Sequence, residues 1–395
     1  MSLLAVDDAQ ARLFALAPSL AVEEAPLVDA AGRYAAAAMI ARRTQPAADL
    51  SAMDGYAIRF AELPGPWTVV GESKAGGGLM QELAPGEAAR IFTGAPLPIG
   101  ADTILVQEDA TRDGGVVHLA GSGPPASGAH VRREGSDFAS GDTLLPAGVL
   151  LSPARIALAA LGGYGTLPVR RRARVRLLST GDELVQPGAP TTGAGLPASN
   201  APMLAALLAQ APATVRDGGI VPDRLDLLTR AFQEAASDAD VIVTTGGASV
   251  GDHDLVRPAL QAAGAELDFW RVAMRPGKPL LAGRLENALV LGLPGNPVSA
   301  FVTAHLFLLP LLAHLAGASD PLPRTERMPL GGALRGTGER ADYIRATIRE
   351  GMVYPLAGQD SAALAMLANA DALIVRQPGS AGASVGNSVD ILRIA

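Results

Sequence analysis

The chain has 395 residues, with 32 Lys and Arg against 39 Asp and Glu, a net charge of −7, and no cysteine. A hydrophobic content of 49% excludes general disorder, and the missing cysteine excludes disulfides, Cys-ligated zinc, iron–sulfur clusters and thiol nucleophiles together. The acidic balance argues against sequence-blind nucleic-acid binding, and roughly 100–200 residues per domain implies several domains. The first eight residues carry no basic stretch and meet Asp7 and Asp8 early, so no targeting segment and a cytoplasmic location are expected.

Val6, Ala9, Leu13 and Leu16 recur at helical spacing, which predicts an opening amphipathic helix. Arg42-Arg43 leads into a loop over 44–50. From Tyr56 to His118, short β-rich runs at 67–70, 89–92, 103–107 and 116–119 are separated by Gly/Pro turns, which predicts a small all-β domain. The turn-rich 121–128 ends it. Residues 129–168 mix short strands with a helix at 153–161, whose first turn accommodates Pro153. Arg170-Arg171-Arg172 reads as a solvated boundary.

Beyond it the rhythm is strand–helix–strand. Strands are predicted at 174–179, 214–221, 241–245 and 288–293. Helices are predicted at 200–209, 222–236 and 252–263, with Asn200 capping the first and Pro222-Asp223 opening the second. Such alternation implies a mostly parallel sheet with helices on both faces. The apolar run 297–318 contains His305, Pro310 and His314, so it is expected to be a buried core helix and not a membrane span. Pro321-Leu-Pro323 closes this unit, and a small β domain ends the chain.

In an α/β unit, ligands bind where strands end at their carboxyl termini. Here the strand at 174–179 runs into Thr180-Gly-Asp182-Glu183, and 241–245 runs into Gly246-Gly247-Ala-Ser249-Val-Gly-Asp252-His-Asp254. The strand at 288–293 runs into Pro294-Gly-Asn296-Pro297-Val-Ser299. Two of these loops are glycine-bearing and meet a helix start, which suits either a tight turn or an anion site. Nearby carboxylates make sense if a divalent cation bridges them to phosphate oxygens. Helix capping accounts for Asp223 and Asp252 singly, but poorly for Glu183 and Asp254. Arg275-Pro-Gly-Lys278-Pro places two cations in a stiff loop, suited to an oxyanion or to a solvated turn.

Gly247-Ala-Ser249-Val-Gly251 matches the G-x-S-x-G nucleophile elbow. Two downstream histidines, His305 and His314, fall on the apolar helix, which disfavours a serine hydrolase. Outside the α/β unit, Ser51-Ala-Met-Asp54-Gly-Tyr-Ala57 and Val131-Arg-Arg-Glu-Gly-Ser-Asp137 put acids in turns.

Together with Phe92-Thr93-Gly94-Ala95-Pro96, these motifs occur in an order that resembles the molybdopterin molybdenumtransferases, the MoeA and gephyrin E-domain family. The resemblance implies a multidomain α/β and β fold. It comprises an elongated N-terminal domain from 1–44 and 129–172, an inserted β domain at 45–128, a MogA-like α/β domain at 173–320, and a C-terminal β barrel at 321–395. It implies molybdenum cofactor biosynthesis: Mg²⁺-dependent insertion of molybdate into adenylylated molybdopterin with release of AMP. It implies a homodimer that works with a MogA-type adenylyltransferase and acceptor molybdoenzymes, without nucleic acid or membrane.

Carried over by motif, Asp54, Glu183, Asp223 and Asp254 would be catalytic, with Asp54, Glu183 and Asp254 holding the metal. Thr93, Asp137, Gly246, Gly247, Ser249, Arg275, Lys278, Pro294, Asn296, Pro297, Ser299 and Ser361 would bind substrate. Arg275 stands where the family usually has Lys. A non-catalytic pterin-binding scaffold, or a Mg²⁺-dependent nucleotide pyrophosphatase with a MogA-like domain, are the alternative readings.

Overall fold

The computed structural model describes residues 3–77, 81–190, 193, 195–246 and 255–394. A six-stranded sheet runs in the order Ala213–Val221, Ala173–Thr180, Val241–Thr245, Ala288–Leu293, Pro279–Leu285, Glu266–Arg271. The first four strands pair in parallel, and the last two join by antiparallel pairing. Val241–Thr245 and Ala288–Leu293 are buried at every residue, as strands covered on both faces must be. Alternation divides them: Val243, Leu289 and Leu291 face a core with Leu13, Leu204 and Phe307. Ile242 and Val290 face a second core with Leu228, Phe232 and Leu260.

The opening helix, Val6–Leu16, lies on the first of these faces and buries Ala9 and Leu13 there. The sequence reading assigned no strand to Glu266–Arg271 or Pro279–Leu285. Their pairing slips register twice, and the Pro/Gly loop interrupts them, so neither shows a clean alternation. The helix expected from Pro222 starts at Leu225, with Arg224 as its cap residue. Asn200 is no cap either: Ser199 holds the cap position without a side-chain bond, and the Asn200 amide donates to the Gly295 carbonyl at 2.7 Å.

A second six-stranded sheet spans residues 55–119, with Gly55–Ile58 between Thr103–Val106 and Glu87–Ile91. The segments before and after it pair with each other. Val22–Pro26 is antiparallel to Thr166–Arg170, and Met39–Ile40 to Thr143–Leu145, around Leu151, Leu167 and Val169. The C-terminal sheet orders Met274–Arg275, Ala341–Arg349, Ala372–Arg376, Ser388–Arg393 and Glu326–Pro329, with Met352–Pro355 paired to Ala341–Arg349. Its first strand is thus lent by the loop between the two last strands of the central sheet.

The helix Pro297–Leu315 is long and apolar enough to cross a membrane, with mean hydropathy 1.8, but it is 78% buried within the protein. Pro310 brings no N–H to the preceding turn, and the helix widens to a π turn over Ala304–Leu308. The Leu306 carbonyl, four residues before Pro310, is taken instead by the buried Gln10 amide at 2.7 Å. A polar residue inside the apolar face of the first helix is thereby explained.

Asp240 ties the boundary arginines to the sheet. Its carboxylate accepts both Arg171 guanidinium nitrogens at 2.6 and 2.7 Å, the Arg174 N–H at 2.8 Å and the Arg174 guanidinium at 3.1 Å. Burial pushes this carboxyl upward, but the hydrogen bonds from Arg171 and Arg174 outweigh it and hold it well below the usual range.

Two outcomes are expected. Gln10→Leu removes the side-chain donor from the buried Leu306 carbonyl and lowers unfolding free energy by roughly 1–3 kcal/mol in denaturant titration. In a Pro310→Ala background, which restores an N–H, the loss shrinks. The second concerns acid. Asp240 has a depressed folded pKa, so its stabilisation is fully present above the unfolded value near 3.8 and is lost as pH falls below it. The stability gap between wild type and Asp240→Asn should stay constant from neutrality to about pH 5 and close at lower pH.

Candidate functional site

The carboxyl ends of the parallel strands open into a cleft of about 760 Å³, closed on one side by Arg340, Gln359, Ser361 and Ala362 of the C-terminal region. Strand order sets its polarity. The outermost parallel strands, Ala213–Val221 and Ala173–Thr180, lead to Asp223 and Glu183. The antiparallel strand Pro279–Leu285, at the other side of the sheet, begins just after Arg275 and Lys278. Acids therefore gather at one end and cations at the other. Between them lie Gly246 and the Pro294–Pro297 turn, above the buried hydroxyls of Ser179, Thr180 and Thr245.

At the acidic end, Gly181 has φ +146°, and a side chain there would run into the Glu183 carboxylate. Gly246, at φ +96°, likewise sits against the Thr180 carbonyl, where a Cβ has no room. Burial raises the Asp223 carboxyl above its ordinary value, and the charges of Asp182 and Glu183 raise it further. Its own N–H donates to Asp182 Oδ1 at 3.0 Å. Asp223 therefore caps no helix; three carboxylates crowd this end with no cation paired to them among the described residues.

At the cationic end, Arg275 donates to Asp342 Oδ2 at 3.0 Å. Lys278 and Arg340 have no side-chain partner among the described residues and are free to meet an anion. The Asn296 amide donates to Ser361 Oγ at 2.9 Å, and the Val298 N–H to the Ser361 carbonyl at 3.2 Å, joining the C-terminal region to the start of the Pro297 helix.

Of the residues singled out from sequence, the cleft unites Glu183, Asp223, Gly246, Arg275, Lys278, Pro294, Asn296, Pro297, Ser299 and Ser361. Gly247, Ser249 and Asp254 lie outside the described residues. Asp54 and Thr93 do not line this cleft. They lie together at the second six-stranded sheet, Asp54 just before its strand Gly55–Ile58, where the Thr93 N–H and hydroxyl donate to Asp54 Oδ1 at 2.7 and 2.8 Å. Those two bonds, with the Arg90 charge, hold the Asp54 carboxyl below its usual range. Asp137 lines a separate, open cavity with Phe138 and Thr143.

His305 and His314 also stay away from the cleft. They stack on Phe301 and Phe14, and burial lowers both. Neither lines the cleft. Arg340 and Gln359 escaped the sequence reading. They stand in unpatterned stretches, and only the folding of the C-terminal sheet over the loop brings them in.

Mg²⁺ takes oxygen ligands and typically uses one or two protein carboxylates, completing its shell with water and substrate phosphate. Among the described residues no three His, Cys, Asp or Glu are gathered to hold a metal ion unaided. Glu183 and Asp223 nonetheless fit that pattern, since two carboxylates beside a third carry uncompensated charge.

Three family regions match the chain in order. These are the MoeA N-terminal region (domain I and II) over 4–163, a "Probable molybdopterin binding domain" over 176–314, and the MoeA C-terminal region (domain IV) over 327–394. The molybdopterin molybdenumtransferase of Haemophilus influenzae is 38% identical over 320 residues, covering 80% of this chain and 78% of the relative. The chain belongs to the molybdopterin molybdenumtransferase family. The family member from Nostoc sp. is 36% identical over 97% of this chain and 92% of its own. A solved molybdopterin biosynthesis MoeA protein from Pyrococcus horikoshii OT3 is 25% identical, covers all of both chains, and has a TM-score of 0.85.

The crowding at the acidic end is directly measurable. In ¹³C NMR titrations, Glu183→Gln and Asp182→Asn should each bring the Asp223 carboxyl part of the way back toward its ordinary value, burial retaining the rest. An unmoved Asp223 titration would show that the three carboxylates share no field.

Proposed function

We propose that this chain, a molybdenum cofactor biosynthesis enzyme of the molybdopterin molybdenumtransferase family, takes adenylylated molybdopterin and molybdate into the cleft. There molybdenum is transferred to the pterin dithiolene and AMP is released. The observation that carries this reading is the division of one cleft into a carboxylate end and a cation end, on a chain whose whole length matches the family. A substrate with a phosphoanhydride and an anionic co-substrate needs both.

In this reading Lys278, Arg275 and Arg340 hold oxyanions, and Asn296, Ser299 and Ser361 supply neutral hydrogen bonds that fix orientation. Glu183 and Asp223 would hold Mg²⁺, which when bound neutralises charge on the phosphoanhydride oxygens. Asp223, half-buried, also orients water toward the bond that is cleaved. Gly247 and Ser249 as substrate contacts, and Asp254 as a metal ligand, are proposed from the family resemblance.

Asp54, Thr93 and Asp137 line no part of this cleft in one chain. We infer a homodimer in which the second copy brings Asp54 and Thr93 to the site. The domain division at 1–44 with 129–172, 45–128, 173–320 and 321–395 belongs to the same reading. So do a cytoplasmic location and exchange with a MogA-type adenylyltransferase and acceptor molybdoenzymes.

The test is AMP release from adenylylated molybdopterin, with molybdate and Mg²⁺. Glu183→Gln, which changes charge at constant shape, should lower release by about 10²-fold or more while leaving thermal unfolding near wild type. Inactive Asp54→Ala and inactive Glu183→Ala, mixed under verified subunit exchange, should regain activity. Full release by Glu183→Gln overturns the metal assignment, and dead mixed dimers overturn the shared site.

A further inference from the structure

We propose that Arg345, which lines no part of the cleft, is the positioning residue that presents Ser361 to the substrate and couples the C-terminal sheet to the first turn of the Pro297 helix. The proposal rests on the substrate reading above. Arg345 lies within the strand Ala341–Arg349 and is 2% exposed. It makes no salt bridge among the described residues; burial lowers its guanidinium, and the nearby Asp360 charge raises it in part. Its two terminal nitrogens donate to backbone carbonyls, Asp360 at 2.8 Å and Ala363 at 3.1 Å. A buried guanidinium is costly to desolvate, and an apolar side chain of similar volume often serves stability as well or better. What the cation does here that an apolar residue could not is grip one loop at both ends.

The same loop is held at the backbone. The Arg345 N–H donates to Gln359 Oε1 at 3.1 Å, and Gln359 Nε2 donates to the Arg345 carbonyl at 3.0 Å and the Leu356 carbonyl at 2.8 Å. Residues 356–363 are thus wrapped around a single strand position. Ser361 sits between the two gripped carbonyls and reaches the other side of the cleft. Its Oγ accepts from Asn296, and its carbonyl accepts from the Val298 N–H. The path runs from Arg345 through Asp360 and Ala363 to Ser361, and then to Asn296 and Val298. No side chain on that path is long and unanchored.

Two variants test it. Arg345→Lys keeps the charge, but a single ammonium cannot span both carbonyls as the planar fork does. Asp360→Ala acts from the exposed side: it removes the carboxylate that accepts the Ala362 N–H at 2.7 Å and whose charge favours the Arg345 cation, while both carbonyls that Arg345 grips remain. In both, hydrogen exchange at the Val298 amide should accelerate about tenfold or more, with Val243 in the central strand as an unchanged internal reference. The KM for adenylylated molybdopterin in AMP release should rise by about the same factor, with kcat less affected. Ser361→Ala added to Arg345→Lys should raise KM little further, because both act through one contact.

Unchanged Val298 exchange in both variants, unchanged KM, or full additivity with Ser361→Ala overturns the proposal. Should Arg345→Lys fail to fold, Asp360→Ala decides alone. Should the wild-type chain release no AMP, the substrate reading fails, while Val298 exchange still decides the coupling.

Discussion

Met274 and Arg275 leave the central sheet and pair in parallel with Ala341 and Asp342 of the C-terminal sheet, where the Arg275 guanidinium also meets the Asp342 carboxylate. Most of the cleft depends on this shared edge. Without it the C-terminal sheet would have no fixed place over the strand ends, and Arg340, Gln359 and Ser361 would face solvent. Main-chain pairing is insensitive to side-chain chemistry, so the junction holds while Lys278 and Arg340 remain available to a ligand. The contact of Ser361 with Asn296 and Val298 closes the same junction from its other side.

The second constraint is the order of strands. A parallel sheet collects its loops at one end, so charges far apart in sequence meet there. Their arrangement follows from which strand neighbours which. Glu183 and Asp223 follow adjacent strands and repel each other; Arg275 and Lys278 precede a strand three places from the first and four from the second. The raised Asp223 carboxyl and Lys278, unpaired among the described residues, are two signs of one state, a cleft whose acidic and basic ends do not neutralise each other. Asp240 shows the opposite case. Its carboxylate is saturated by two arginines, and it serves the junction between sheet and boundary segment.

Much of this was legible in the residues. The apolar run Ala288–Leu293 and the β-branched run Val241–Thr245 announced themselves as buried strands, because strands covered on both faces show no alternation of polar and apolar residues. Pro153 marked its helix start correctly, and Ser152 caps it by accepting from the Arg155 N–H. Glu183, Gly246 and Asn296 were found because a strand ending in a small or acidic residue identifies the ligand-binding edge. Asn200 was misread as a cap, and Asp223, named for the site by resemblance, was explained locally as one. Each is a common cap residue, and only the observed partners, Gly295 for one and crowding carboxylates for the other, reveal a different task.

By itself, then, the sequence determined the alternating α/β core, the family, and the loops at the ends of the parallel strands, since periodicity and short motifs are properties of neighbouring residues. Tertiary structure alone decided that Gln10 serves the carbonyl released by Pro310, and that a loop of the central sheet becomes an edge of the C-terminal one. It also decided that Arg345 stands behind Ser361, and that Asp54 and Thr93 lie apart from Glu183 within one chain. These are pairings between residues tens to hundreds of positions apart. A hydrogen bond or an ion pair depends on distance and direction in space, and no local pattern in the chain encodes either.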